Sequence, residues 1–327
     1  MSFRALLCPS VVPKMNTLLK KFTIHYSLFT ILFSMVTAHE SPEHNLIQLT
    51  AHLKTERSPE HLLQRALAYR ALGQLENATS DLNTAINLTP DHFVYQLELS
   101  RTLLAASKPD KALNAANRSL KLAETPAQRA TCHILRAEAY QNSRRYKPSL
   151  HACQLAFRQI PQGEIEWFLL QSENQRQLGQ HQQRIANLKT GLNLHHSAVL
   201  KAHWIDALID AGDFKTSLPL IEAELVDRRW KSSWLIKQAR TLIGLNRSAD
   251  AQQSLHTALA EISSRLNPSQ PDILLLADQG IAYALLGNKV EARASYKKLK
   301  LHRAPRWTTS RLEALLRRVD TPVHQKP

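Results

Sequence analysis

Histidines, cysteines and tryptophans are the residues of this chain best suited to chemistry, so their spacing comes first. His195, His196 and His203 form the densest histidine set, and His196 and His203 could share one face of a helix. Two imidazoles make only half of a zinc site, which takes about four ligands. No cysteine, aspartate or third histidine is spaced to complete it, so the set reads as surface histidine. His39 and His44 give the same answer. Cys132 and Cys153 fall on successive antiparallel helices and are expected as free, mostly buried thiols rather than a disulfide framework. Trp204 and Trp234 sit where a helix pair needs a large filler, which favours core packing over a ligand platform. There is no glycine-rich phosphate loop and no nucleophile elbow. The expectation is no catalytic residue, no metal and no cofactor, hence a chain that is not an enzyme.

What positions these residues is a repeat. The clearest copy runs Ala66, Tyr69, Gly73, Ala78, Leu82, Ala85, Pro90, and a near twin runs Gly280, Tyr283, Gly287, Ala292, Tyr296, Leu299. Small residues recur at Ala78, Ala112, Ser149, Ser217, Ala251 and Ala292, with Arg184 breaking the series in the fourth unit. Counting Arg184, the steps are 34, 37, 35, 33, 34 and 41 residues, which places seven units between Pro59 and about Arg306. A period of this size marks an architecture whose units bury apolar surface only against neighbours. An upstream series at Ala66, Ser100, Ala137, Ser172, Ala239 and Gly280 lets paired helices approach, and Ile205 departs from it. Three residues on, the filler series departs once, at Gln175. Gly73, Gly179, Gly212 and Gly287 fall at one equivalent turn, half of the eight glycines present. A left-handed residue is expected there.

The pattern resembles the tetratricopeptide repeat, a helix-turn-helix hairpin of about 34 residues. The resemblance implies an all-α, right-handed superhelical solenoid of antiparallel hairpins. Residues 39–58 then form a capping half-repeat, 59–306 about seven repeats, 307–320 a capping helix and 321–327 a disordered tail. Ser41 and Ser58 read as N-caps, and Ser310 with Glu313 as a capping box. The resemblance also implies that the first helix of each hairpin lines a concave groove for a partner peptide or helix. Carried onto this chain, the central row is Arg101, Glu138, Glu173, Asp206 and Arg240, with Arg70, Gln141, Arg176 and Asp210 a turn along. That groove would be acidic in its middle with arginines towards both ends. The family's Lys and Asn clamp for a C-terminal carboxylate is missing, since Leu63 and Leu67 stand in its place. The plainer reading is a solvated face with weak ion pairs.

The N-terminus reads as an export signal. Lys14, Lys20 and Lys21 precede an apolar stretch from Phe22 to Val36, and Val36-Thr37-Ala38 supplies a small-residue cleavage site. Residues 1–38 would be removed, an uncleaved anchor being the alternative, and Met15 offers a second start. The apolar stretch is short for a membrane span of about 20 residues, so the mature form should have none. The expected location is the periplasm or the exterior, soluble or peripherally attached to the envelope. Cleavage lowers 42 basic residues to 38 against 27 acidic ones, a net of +11. Much of that charge sits near the end, at Lys297, Lys298, Lys300, Arg303 and Arg306, with Arg311, Arg317 and Arg318 on the last helix facing solvent. This patch suits an anionic polymer or membrane surface, or it keeps a terminal cap soluble. Specific nucleic-acid binding is not expected. The primary reading is a protein-binding scaffold of the cell envelope.

Overall fold

The computed structural model describes residues 41–267, 269–302, 304 and 306–320; the leader and the tail discussed above lie outside them, as does Arg303. Sixteen α-helices and no strand occur among the described residues. The chain divides into two compact units, Met1–Arg144 and Arg145–Pro327. Unit 1 contains α1 (Pro42–Thr55), α2 (Pro59–Ala71), α3 (Leu75–Leu88), α4 (Phe93–Ala105), α5 (Pro109–Leu122) and α6 (Pro126–Asn142). Unit 2 contains α7 (Tyr146–Gln159), α8 (Ile165–Gln177), α9 (His181–His195), α10 (Ala198–Asp210) and α11 (Phe214–Val226). It continues through α12 (Ser232–Gly244), α13 (Ser248–Arg265), α14 (Ile273–Leu285), α15 (Lys289–Leu301) and α16 (Arg306–Asp320). Even-numbered helices from α2 to α14 are the first helices of hairpins, and α1 and α16 are the additional terminal helices.

Local chemistry fixes these boundaries. Ser41 and Ser58 cap α1 and α2, their hydroxyl oxygens accepting from the amides of His44 and His61, with Pro in each first turn. Thr125 and Gln128 complete a reciprocal capping box at α6. Every hairpin turn then uses one left-handed residue. Gly73, Gly179, Gly212 and Gly287 lie at φ between 69° and 81°, and Ser107, Arg144 and Asn246 hold the equivalent place at 56° to 59°. The turn is bonded as a helix C-terminus requires: in the first hairpin Gly73 N–H donates to the Arg70 carbonyl and Gln74 N–H to that of Tyr69.

Packing follows the small residues. Ala66, Ala78 and Ala112 in unit 1, and Ser149, Ser217, Ala239, Ala251 and Ala292 in unit 2, are essentially inaccessible. Around them unit 1 gathers Leu62, Leu82, Tyr95, Leu99 and Leu103. Unit 2 gathers Ile236, Leu255, Ile262, Leu276, Ile281, Leu299 and Leu312 in one cluster, with Phe168, Leu188 and Leu200 in another. Ile205, out of place by pattern, is fully buried beside Ile209, Ile221 and Trp234. Cys132 and Cys153 are free and buried.

One terminal expectation needs correcting. The last helix begins at Arg306, so Ser310 lies inside it rather than at its N-cap. The extra upstream turn forms because Thr308 and Thr309 bury their side chains.

Candidate partner-binding face

The first helices of unit 1 present a sparse set of charges. On α4, Glu98 takes Arg70 from α2 at 2.6 Å and Arg101 from its own helix at 2.5 Å. The Arg101 side chain stays 42% exposed, whereas Glu98 keeps only 9%. On α6, Glu138 is partly buried in the same unit. Among the described residues it has no hydrogen-bond or ion-pair partner. Burial raises its carboxyl above the ordinary range, and the Arg101 charge opposes this only in part. Gln141 lies one turn further along α6, partly buried.

Unit 2 gathers many more charges and pairs most of them internally, Asp278 of α14 being the exception. Asp206 on α10 is 7% exposed. Its Oδ2 accepts from Lys237 Nζ at 2.5 Å, and its Oδ1 from Arg240 Nη1 at 2.6 Å and Arg311 Nη1 at 2.7 Å. One turn along α10, Asp210 accepts from Arg240 Nη2 at 2.5 Å, Arg184 Nη1 at 2.7 Å and Arg311 Nη2 at 3.3 Å. Two carboxylates are thus shared among four cations from α9, α12 and α16. Burial alone would raise both carboxyls. Arg311 and Arg240, joined at Asp206 by Lys237, overrule it and hold Asp206 well below the usual carboxylate range and Asp210 below it. Burial lowers Lys237 and Arg240 in turn, because removing water costs the charged forms. At the edge of the cluster Glu173 and Arg176 form a bidentate pair on α8, with contacts of 2.8 and 2.7 Å. Arg176 Nη2 also reaches Ser310 Oγ at 3.1 Å. Burial pushes the Asp278 carboxyl of α14 up to about 6, with Lys237 pulling the other way.

Five of the nine expected groove residues therefore belong to one network in unit 2: Glu173, Arg176, Asp206, Asp210 and Arg240. The other four, Arg70, Arg101, Glu138 and Gln141, belong to unit 1. Arg311 is a correction, because it points into the network rather than into solvent. The acidic pair draws it there, and the neighbouring Leu312 is fully buried. Glu98, Lys237 and Arg184 were missed as site residues. Glu98 and Lys237 stand three residues before the predicted Arg101 and Arg240, which is the same helical face. Arg184 carried a signal, as the one charge in a series of small residues. It is 3% exposed, and its Nε donates to Ser172 Oγ at 3.1 Å.

The basic residues of α15 lie elsewhere. Lys297 and Lys298 are exposed, and Lys300 is paired with Glu313 at 3.6 Å. Val290 and Leu301 on the same helix are 75% and 78% exposed. The side chain of Arg306, like Arg303, is outside the described residues.

No protein-family profile matches the chain, and no characterised protein matches it by sequence. Solved structures do. A tetratricopeptide repeat protein from Parabacteroides merdae superposes with a TM-score of 0.62 over 81% of this chain and all of its own, at 15% identity. The chain has the tetratricopeptide-repeat fold. PilF of Pseudomonas aeruginosa, at 13% identity and a TM-score of 0.50, covers 61% of this chain and 89% of its own. Within the tetratricopeptide fold the left-handed turns and buried small residues are shared architecture. No group of three or more histidine, cysteine or acidic residues able to hold a metal ion occurs among the described residues. Nor is any described helix long and apolar enough to cross a membrane.

Proposed function

We propose that this chain is a non-catalytic protein-interaction scaffold of the cell envelope, exported by its leader, whose unit 1 captures a basic segment of a partner protein on its first helices. The observation that carries the reading is Glu138, a partly buried first-helix carboxylate with no hydrogen-bond partner among the described residues; burial raises its carboxyl although the Arg101 charge opposes it. A carboxylate so placed costs free energy in the unbound chain. An incoming lysine, arginine or backbone amide would recover it, with Arg101 and Arg70 steering an acidic group of the same segment. Groove recognition of an extended or helical segment is the matching mode.

Cross-linked capture from the envelope fraction tests this. Glu138→Lys should remove at least one captured protein while leaving unit 2 folded; an unchanged capture profile would sink the assignment. A reporter joined after Ala38 that stays in the cytoplasm would refute export. A second reading rests on the exposed Lys297, Lys298, Val290 and Leu301 of α15, which suit an anionic membrane surface. In that case added salt and the loss of Lys297 and Lys298, rather than Glu138→Lys, would abolish capture.

A further inference from the structure

The last helix occupies the first-helix face of unit 2. Arg311 reaches back about a hundred residues to Asp206 and Asp210, and Ser310 accepts from Arg176. Leu312 seats on Gly280, where an added Cβ would come within 2.5 Å of Leu312 Cδ2 and force that leucine to shift. Leu316, 9% exposed, completes the seat. We propose that this seat is a receptor for an arginine-bearing amphipathic helix, and that α16 is its resident occupant, displaced when a partner presents the same chemistry. The required partner is a helix with a serine and an arginine in succession, a leucine directly after, and a second leucine four residues later.

Three features make the exchange physically reasonable. First, α16 is the last described helix and packs on the two helices before it, α14 and α15, so its detachment need not unfold the helices upstream. Second, its departure strands no carboxylate. Asp206 keeps Lys237 and Arg240, while Asp210 keeps Arg240 and Arg184. Third, the seat combines a charged anchor with an apolar one, and such pairing gives a helix both register and affinity. The resident helix competes at the effective concentration of a short tether, in the millimolar range. Partner binding to unit 2 is therefore suppressed until a better helix arrives.

A fluorescent peptide with the sequence of residues 306–320 tests the proposal on the full-length chain. Its binding to an Arg311→Ala, Leu312→Ala double variant should be at least ten-fold tighter than to the unaltered chain. Replacing the peptide's own arginine by alanine should cost at least ten-fold. Equal or absent binding to a double variant that remains folded overturns the proposal. Should that variant fail to fold, hydrogen exchange on the unaltered chain decides. Amides of α16 must exchange at least ten-fold faster than those of α12; equally slow exchange makes α16 a permanent cap and refutes displacement. None of these readouts involves Glu138, so failure here and failure of the unit 1 reading are separable.

Discussion

Units 1 and 2 are built from the same hairpin, with the same turn and the same small residues at the helix contacts, yet they treat charge on their first helices in opposite ways. Unit 1 leaves Glu138 partly buried without a hydrogen-bond partner and holds Arg101 half in water beside Glu98. Unit 2 draws Arg184, Lys237, Arg240 and Arg311 onto two carboxylates and leaves little of either for anything else. Charge on the face of a repeat array is thus no guide to ligand binding until its partners are counted. A cluster satisfied from within its unit holds the fold and admits only a ligand that replaces one of its own members, whereas a carboxylate without a hydrogen-bond partner can take a ligand directly.

The largest test of this contrast removes one carboxylate from each unit. Asp206→Ala would leave Lys237, Arg240 and Arg311 converging without their shared counter-charge. Breaking a buried pair in this way typically costs about 3–5 kcal/mol. Glu138→Ala should cost under about 1 kcal/mol or even stabilise, because it removes a desolvated charge with no partner. All five tryptophans lie in unit 2, so denaturant titration followed by tryptophan fluorescence reads Asp206→Ala, while the slowest-exchanging amides of α4 and α5 read Glu138→Ala in unit 1. A similar, small loss in both variants would erase the distinction between the two faces.

Next in size is the pH response of Asp278. Its folded carboxyl titrates near 6 against an ordinary 3.8, chiefly through burial. Lys237 and Arg311 pull it down, while Asp206 and Asp272 push it up. An acid raised on folding binds its proton more tightly in the native state, so stability falls as pH rises from about 4 to 6. The loss, complete above that window, amounts to at most about 3 kcal/mol. Asp278→Asn should therefore stabilise unit 2 at pH 8 and do little at pH 4. A gain of equal size at both pH values would show that the carboxyl is not held in this way.

Much of this molecule was legible in the sequence. Seven hairpins, two serine caps and four glycine turns follow from period and residue type alone, because each depends on a contact within one hairpin. The nine expected groove residues all lie on first helices, α2 to α12. Their partners were not legible, since Arg311 and Asp206 are about a hundred residues apart and only the packing of α16 on the first-helix face of unit 2 brings them together. Arg184 shows the limit from the other side. Its misfit in a small-residue position was visible, but reading that as a weak repeat missed that a buried guanidinium was filling the gap. The repeat pattern records where side chains must be small, and it is silent on how the charges that replace them are neutralised.

The smallest expected effect concerns the turns, where the units should behave alike. Ser107 of unit 1 holds φ at 56°, and Gly212 of unit 2 does the same work at 80°. A side chain in the left-handed region costs roughly 1–2 kcal/mol. Glycine avoids that strain but surrenders about 0.5–1 kcal/mol to the freedom of the unfolded chain. Ser107→Gly should then raise the stability of unit 1 by about 0.5–1 kcal/mol, read from the slowest-exchanging amides of α4 and α5. Gly212→Ala should lower that of unit 2 by a comparable amount. Asn246→Gly should change little, because asparagine tolerates this conformation. If Ser107→Gly destabilises instead, the serine is making a contact that its backbone angle alone does not reveal, and the turns would join the charges as a point of difference between the units.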